Sequence, residues 1–139
     1  HSITLTLAAL DVVQLPSRWV ESAIAASVIV AALNNLIVMA GASRWLFAFA
    51  FGLIHGFGFA SVLADLGLPQ NALLLALVAF NLGVEVGQLA IVALFLPLAW
   101  SVRNQWIYRR GVLAGGSLLV IATAGIWLVE RVFDLKLIA

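Results

Sequence analysis

Three polar side chains recur at helical spacing inside a long apolar run, and together they could bind a cation. Asn81, Glu85 and Gln88 stand at positions i, i+4 and i+7, so at about 3.6 residues per turn they share one face of a helix. Amide and carboxylate oxygens are ligands that hard or borderline divalent cations prefer. The same groups could instead form interhelical hydrogen bonds that hold a bundle together. Spacing alone leaves both interpretations open.

A histidine in a glycine-rich setting lies in the preceding apolar run. Gly52, Gly56 and Gly58 surround His55 and leave space for a partner helix or an ion beside the imidazole. A buried neutral imidazole can bind a metal or relay a proton. A lone histidine in such a place is more often a residue satisfied by one hydrogen bond, so both roles stay open for His55.

Further polar candidates occur in the first two runs. Glu21 and Asn35 are separated by nearly four turns at about 3.6 residues per turn, which places them on roughly one face of a helix. His1 supplies a second imidazole. Thr4 and Thr6 follow it, and we expect their hydroxyls to bond back to their own backbone, as hydroxyls in membrane helices often do.

The composition predicts a membrane protein. Of 139 residues, 65% are hydrophobic and 9% are charged, whereas soluble domains have about 45–50% apolar and about 25% charged residues. In lipid, every backbone amide must form its hydrogen bonds within the protein, which only helices and closed barrels achieve. The apolar runs are far longer than the strands of a membrane barrel, so helices are favoured. We therefore expect an all-α, polytopic transmembrane helix bundle. The net charge of +1 without a basic stripe argues against nucleic acid, and the lack of cysteine excludes thiolate ligands and disulfides.

Proline, arginine and Gly/Asn clusters divide the chain into five apolar segments. Four are long enough to cross a bilayer core of about 30 Å, and the first is shorter, as expected of a helix cut at its N-terminal end. We therefore predict four full spans plus a truncated N-terminal helix, in a single domain (1–139) that is a fragment of a longer protein. The predicted spans are about 1–15, 19–40, 45–66, 72–100 and 111–132.

Glycine pairs and basic residues bear on packing and orientation. Three G-x-x-x-G pairs in successive helices predict close helix contacts and one compact bundle; they are Gly52 and Gly56, Gly83 and Gly87, and Gly111 and Gly115.

The basic residues divide between the two predicted sides of the membrane, with four arginines on one side and three basic residues on the other. The positive-inside rule therefore slightly favours the first side in the cytoplasm. The four are Arg44, Arg103, Arg109 and Arg110, and the three are Arg18, Arg131 and Lys136.

Four stretches are specific enough to suggest a family. They are His1-Ser2-Ile3-Thr4-Leu5, Glu21 followed by Asn35, F-G-L-I-H-G-F-G-F-A at 51–60 and F-N-L-G-V-E-V-G-Q at 80–88. In this order they resemble the HupE/UreJ family of bacterial membrane proteins, and the resemblance runs from His1 to about Gln88. Members are described as hydrogenase or urease accessory proteins and as candidate nickel or cobalt permeases.

The resemblance implies a multi-pass protein of the bacterial inner membrane through which a transition metal passes. Seven residues stand at the family's motif positions: His1, Glu21, Asn35, His55, Asn81, Glu85 and Gln88. The chain departs from the family in two ways. An upstream helix with its own His- and Asp-containing motif is absent, and Asn34 occupies a position that we align with a family glutamate.

The favoured function is a permease or metal-delivery protein for a divalent transition metal, nickel or cobalt, that supports metalloenzyme maturation. Glu85 would be the anionic ligand, His1 and His55 the nitrogen ligands, and Asn81 and Gln88 neutral oxygens that bind weakly enough for release. Expected partners are the lipid bilayer, the metal ion, metalloenzyme maturation proteins and further copies of the chain. We expect no tightly bound cofactor and no enzyme activity.

Two other functions stay open on the sequence. One is a non-catalytic scaffold whose polar residues only bind helices together. The other, less favoured, is an intramembrane metal-dependent hydrolase in which His1, His55 and Glu85 hold a zinc ion with one open position.

Overall fold

The computed structural model describes residues 1–37, 44–65 and 70–136. Every regular element within these ranges is helical, which confirms the all-α expectation. The helices are α1 (Ser2–Ala9), α2 (Ser17–Leu36), α3 (Arg44–Asp65), α4 (Gln70–Val102) and α5 (Gly116–Phe133), and a π-helical segment (Ile107–Gly115) leads directly into α5.

Three helical stretches are long and apolar enough to cross a membrane. They are Ser17–Leu36, Ala72–Val102 and Ile107–Phe133. The apolar stretch described in α3 is shorter, Trp45–Ala60. Four full spans are therefore not confirmed, although membrane-spanning length and composition are present in three of the four predicted ones.

Two helices end earlier than the sequence predicted. α1 ends at Ala9 rather than Leu15, because Leu10 leaves the helix and Asp11 adopts a left-handed backbone with φ of 57°. α2 ends at Leu36 rather than Ala40 because Ile37 is extended, with φ of −128° and ψ of 122°. Residues 38–40 of that prediction lie outside the described ranges, as does 66 at the end of the third.

The fifth span begins earlier than predicted and in an unexpected form. Helical structure starts at Ile107 rather than Gly111, and its first nine residues form π-helix. In α4, Pro97 lies inside the helix, which nevertheless continues to Val102.

α2 and α5 form the most extensive contact in the described chain, and they run antiparallel. Near the start of α2, the Arg18 side chain donates hydrogen bonds to the carbonyls of Arg131, at 2.8 Å, and Val132. Glu21 forms an ion pair with Arg131. We call the two hydrogen bonds of Arg18 the Arg18 clasp. They satisfy carbonyls that the last turn of a helix leaves without intrahelical donors.

The remaining helices are ordered around α3. α1 lies beside α3 in the same direction, and α2 lies beside it in the opposite direction. A small core forms where Leu5, Ala60 and Leu77 meet, so α4 touches α1 and α3 through its N-terminal half. Farther along, α4 buries almost nothing: no residue is buried in the window that defines its membrane span.

We expect Arg18→Gln to destabilise the protein, because glutamine is too short to reach both carbonyls at the end of α5. Hydrogen bonds that involve a charged group contribute about 1.5–3 kcal/mol, and solvent exposure of Arg18 reduces the expected loss to about 1 kcal/mol. Thermal unfolding in detergent measures it. Lys136→Gln, which removes a charge from the same end of the bundle, serves as the control, and equal unfolding temperatures for the two variants would contradict a stabilising clasp.

Candidate functional site

The crossing of α1 over α3 depends on Gly56. A Cβ atom at Gly56 would overlap the Thr4 hydroxyl and the His1 carbonyl, and it would lie 2.8 Å from His1 Cα. Two of these three atoms belong to the backbone and cannot rotate away. The absence of a side chain at Gly56 therefore lets the first turn of α1 lie directly on α3, one residue from His55.

Threonine hydroxyls fix this crossing. Thr4 Oγ1 lies 2.7 Å from the carbonyl of Leu53 on α3 and 3.1 Å from the carbonyl of His1. Thr6 Oγ1 donates to Ser2 in its own helix at 2.8 Å, which confirms the expected back-bonding. Thr4 differs from that expectation because its hydroxyl also links α1 to α3.

His55 is oriented by a serine of α2. Ser27 Oγ lies 3.0 Å from His55 Nε2 and 2.7 Å from the carbonyl of Ile24. The single hydroxyl proton is donated to Ile24, since a carbonyl can only accept, so the hydroxyl accepts its bond from Nε2–H. In the neutral tautomer that this hydrogen bond favours, His55 has its proton on Nε2, and Nδ1 keeps a lone pair that can bind a cation.

Both imidazoles line one cavity of about 270 Å³ between α1, α2, α3 and α4. Its polar lining consists of His1, Ser27, His55 and Gln88, and its apolar lining includes Phe51 and Phe59. His1 Nε2 is buried and has no hydrogen-bond partner among the residues that the structure describes. The cavity lining therefore combines two histidines, a hydroxyl and an amide.

The polar stripe of α4 only partly faces this cavity. Gln88 contributes to its wall, whereas Glu85 is exposed on the outer surface of α4. Asn81 is half-buried, with Nδ2 donating to Leu77 in its own helix at 2.9 Å, and its Oδ1 is buried without a partner in the described part of the chain. Within the same part, no three His, Asp or Glu side chains lie close enough to hold one metal ion.

Comparison with known families gives the same assignment as the motif strings. A family model described as HupE / UreJ protein matches residues 1–131. The chain belongs to the HupE/UreJ family. The match extends well beyond Gln88, where the resemblance in the motif strings ends, and it includes the π-helical segment and most of α5. Neither the curated proteins nor the solved structures gave a match.

In this HupE/UreJ protein, Glu21 and Asn35 both face α5. Glu21 pairs with Arg131, and Asn35 Nδ2 lies 3.4 Å from Ser117 Oγ. The prediction that they share one face of α2 is confirmed. They lie on a different side of α2 from Ser27, so the structure does not bring them to the cavity that His1 and His55 line.

Two residues of the candidate site in this HupE/UreJ protein were missed in the sequence. Ser27 orients His55, and Thr4 links α1 to α3, yet neither was a candidate site residue. Both are small hydroxyl residues within apolar helices, and such residues often form interhelical hydrogen bonds. Ser27 precedes Asn35 by eight residues, and that spacing on α2 could have suggested a second polar face.

The three glycine pairs do not behave alike, and the prediction that all three pack helices is wrong. Gly52 and Gly56 contact α1, but a Cβ at Gly83, Gly87 or Gly111 would meet no atom of the described residues within 4 Å, and one at Gly115 only the carbonyl of Arg110. Small residues permit close approach without enforcing it. The face of α4 that contains Gly83 and Gly87, about 160° around the helix from Glu85, is therefore not covered by the described residues.

Proposed function

We propose that this HupE/UreJ protein is a non-catalytic, multi-pass permease or metal-delivery protein of the bacterial inner membrane. Its substrate would be a divalent transition-metal ion, nickel or cobalt, destined for metalloenzyme maturation. The supporting observation is the cavity that brings His1 and His55, the only two histidines of the chain, together.

The two histidines in the wall of this cavity support an ion as its occupant. Imidazole nitrogen suits nickel, cobalt, copper and zinc. The neutral Gln88 amide adds a weak oxygen ligand, which favours release as transport requires.

Glu85 would act after a rotation of α4 about its own axis. It is three residues from Gln88, so the two side chains are separated by about 60° around a helix of 3.6 residues per turn. α4 has few contacts with the rest of the described chain, so a rotation of this size would break little packing. Such a rotation would exchange Gln88 for Glu85 at the cavity and replace a neutral ligand with an anionic one.

Metal uptake into proteoliposomes tests this function. We expect wild type to take up nickel or cobalt, and we expect His55→Ala and His1→Ala each to reduce metal binding at least about tenfold, because each removes an imidazole ligand. Glu85→Ala should slow uptake more than it weakens binding in detergent, because Glu85 does not line the cavity. Thr123→Ala is the control, since Thr123 is exposed and bonds only within α5.

A scaffold is the second candidate, because interhelical hydrogen bonds connect the same polar residues: Ser27 with His55, and Thr4 with Leu53. A well-folded wild type that binds none of nickel, cobalt, zinc or iron would contradict the permease. In that case Ser27→Ala and His55→Ala should both lower the unfolding temperature, as expected of residues that only hold helices together.

A further inference from the structure

The two ends of the helix bundle differ strongly in charge. At the α1–α2 end, where α1 ends and α2 begins, three basic and five acidic residues give a net charge of −2; they are Arg18, Arg131, Lys136, Asp11, Glu21, Asp65, Glu130 and Asp134. At the α4–α5 end, where α4 ends and the π-helical segment begins, four arginines occur with no acidic residue. They are Arg44, Arg103, Arg109 and Arg110.

The arginines at the two ends also differ in their partners. At the α1–α2 end, Arg18 lies 6.0 Å from the ring centre of Trp19 but also bonds to helix carbonyls, and Arg131 pairs with Glu21. At the α4–α5 end, the described contacts of Arg103 and Arg110 are aromatic: Arg103 Cζ lies 3.4 Å from the ring centre of Trp100, and Arg110 Cζ lies 5.7 Å from that of Trp106. A guanidinium stacked on a ring still presents its N–H groups at the edge.

The setting of these arginines matches a membrane interface. Trp100 and Trp106 are each 67% exposed at adjoining ends of two helices with membrane-spanning length, where amphipathic aromatic rings sit at headgroup depth. The π-helical segment that contains Arg109 and Arg110 begins at the same place, and π-helical turns are frequent at functional sites. Exposed tryptophans beside the arginines favour a ligand with an apolar part over a soluble anion.

We propose that the turn from Trp100 to Arg110 binds the phosphate groups of anionic phospholipids. Arg103 and Arg110, held by their tryptophans, and the exposed Arg109 donate charge-assisted hydrogen bonds to lipid phosphate oxygens. The tryptophan rings lie against the adjoining acyl chains. This surface lies at the α4–α5 end and uses none of the residues of the metal cavity, so it is independent of the proposed transport function.

Lipid selectivity of the full-length protein tests the proposal. The protein is purified in detergent, and bound phosphatidylglycerol and phosphatidylcholine are counted by native mass spectrometry. Each arginine near an anionic surface contributes about 1 kcal/mol, so Arg103→Gln, Arg109→Gln and Arg110→Gln should each weaken phosphatidylglycerol binding about fivefold. Lys136→Gln removes the same charge from the other end and should have little effect. The triple arginine variant should show no preference between the two lipids.

Three outcomes would overturn this assignment. One is equal binding of the two lipids by wild type. Another is an equal loss for Lys136→Gln and the arginine variants, which would indicate net charge rather than a site. The third is displacement of phosphatidylglycerol by millimolar inorganic phosphate, which would indicate a site for soluble anions. Unfolding temperatures of the single variants identify any loss that is due to misfolding, and intact metal uptake by these variants separates this surface from the cavity.

Discussion

Gly56→Ala should lower the stability of the protein and weaken its metal binding, although it adds a single methyl group. That methyl group would overlap the Thr4 hydroxyl and the His1 backbone, so α1 must move away from α3. Overpacking of this kind costs about 1–3 kcal/mol. Because the displacement moves His1 away from His55, we expect metal affinity to fall together with the unfolding temperature.

Gly83→Ala is the matched control for this prediction. Gly83 begins the same G-x-x-x-G pattern in α4, but within the described part of the chain its added Cβ would meet no atom closer than 4 Å. Alanine is favoured over glycine inside a helix by about 0.5–1 kcal/mol, so this variant should unfold at the same or a slightly higher temperature. Equal destabilisation by the two substitutions would show that the α1–α3 crossing is not the sensitive contact. Thermal unfolding and metal titration in one detergent measure both effects.

Leu5→Ala should destabilise the protein by about 2 kcal/mol, near the low end for deletion of a buried leucine side chain. Leu5 is 0% exposed and lies against Ala60 and Leu77. Leu5 extends from α1 to the point where α3 and α4 meet, so its loss leaves a cavity between the three helices. The value is low for a core leucine because lipid tails are as apolar as leucine, and the loss comes from packing rather than from transfer out of water.

Leu74→Ala makes the same chemical change on an exposed surface. Leu74 lies on α4 near Leu77 but is 71% exposed, so its removal should change the free energy of unfolding by less than about 0.5 kcal/mol. Reversible unfolding in mixed micelles gives both values. A Leu5→Ala variant as stable as Leu74→Ala would mean that the small core does not hold α4 to the bundle.

The sequence was sufficient to predict the helices in their order. Each helix is a long apolar run, and clusters of proline, arginine and glycine mark where one run ends and the next begins. The ends of α1 and α2 were less predictable. Asp11 and Ile37 end these helices through backbone conformation, and apolar residues continue beyond both positions. An apolar run indicates which residues avoid water, whereas the end of a helix depends on local dihedral angles and capping.

Within the candidate site, it was easier to predict which residues take part than which residues they contact. His1 and His55 do line one cavity, as their assignment to one metal site required, but Glu85 faces outward and Glu21 binds Arg131. Helical spacing indicates which residues share a face and does not indicate which helix that face meets. The partner of His55 is Ser27 on α2, and no periodic pattern connects those two positions.

The unequal charges at the two ends of the bundle give the chain an electrical polarity across an energised membrane. Four positive charges at one end and a net of two negative charges at the other differ by six elementary charges, which exchange sides when the bundle is inverted. At about 2.3 kcal/mol per charge for each 100 mV, the two orientations differ in electrical energy by about 14 kcal/mol. A membrane potential that is negative inside therefore favours the same orientation as the arginine count, the one with the α4–α5 end on the inner side.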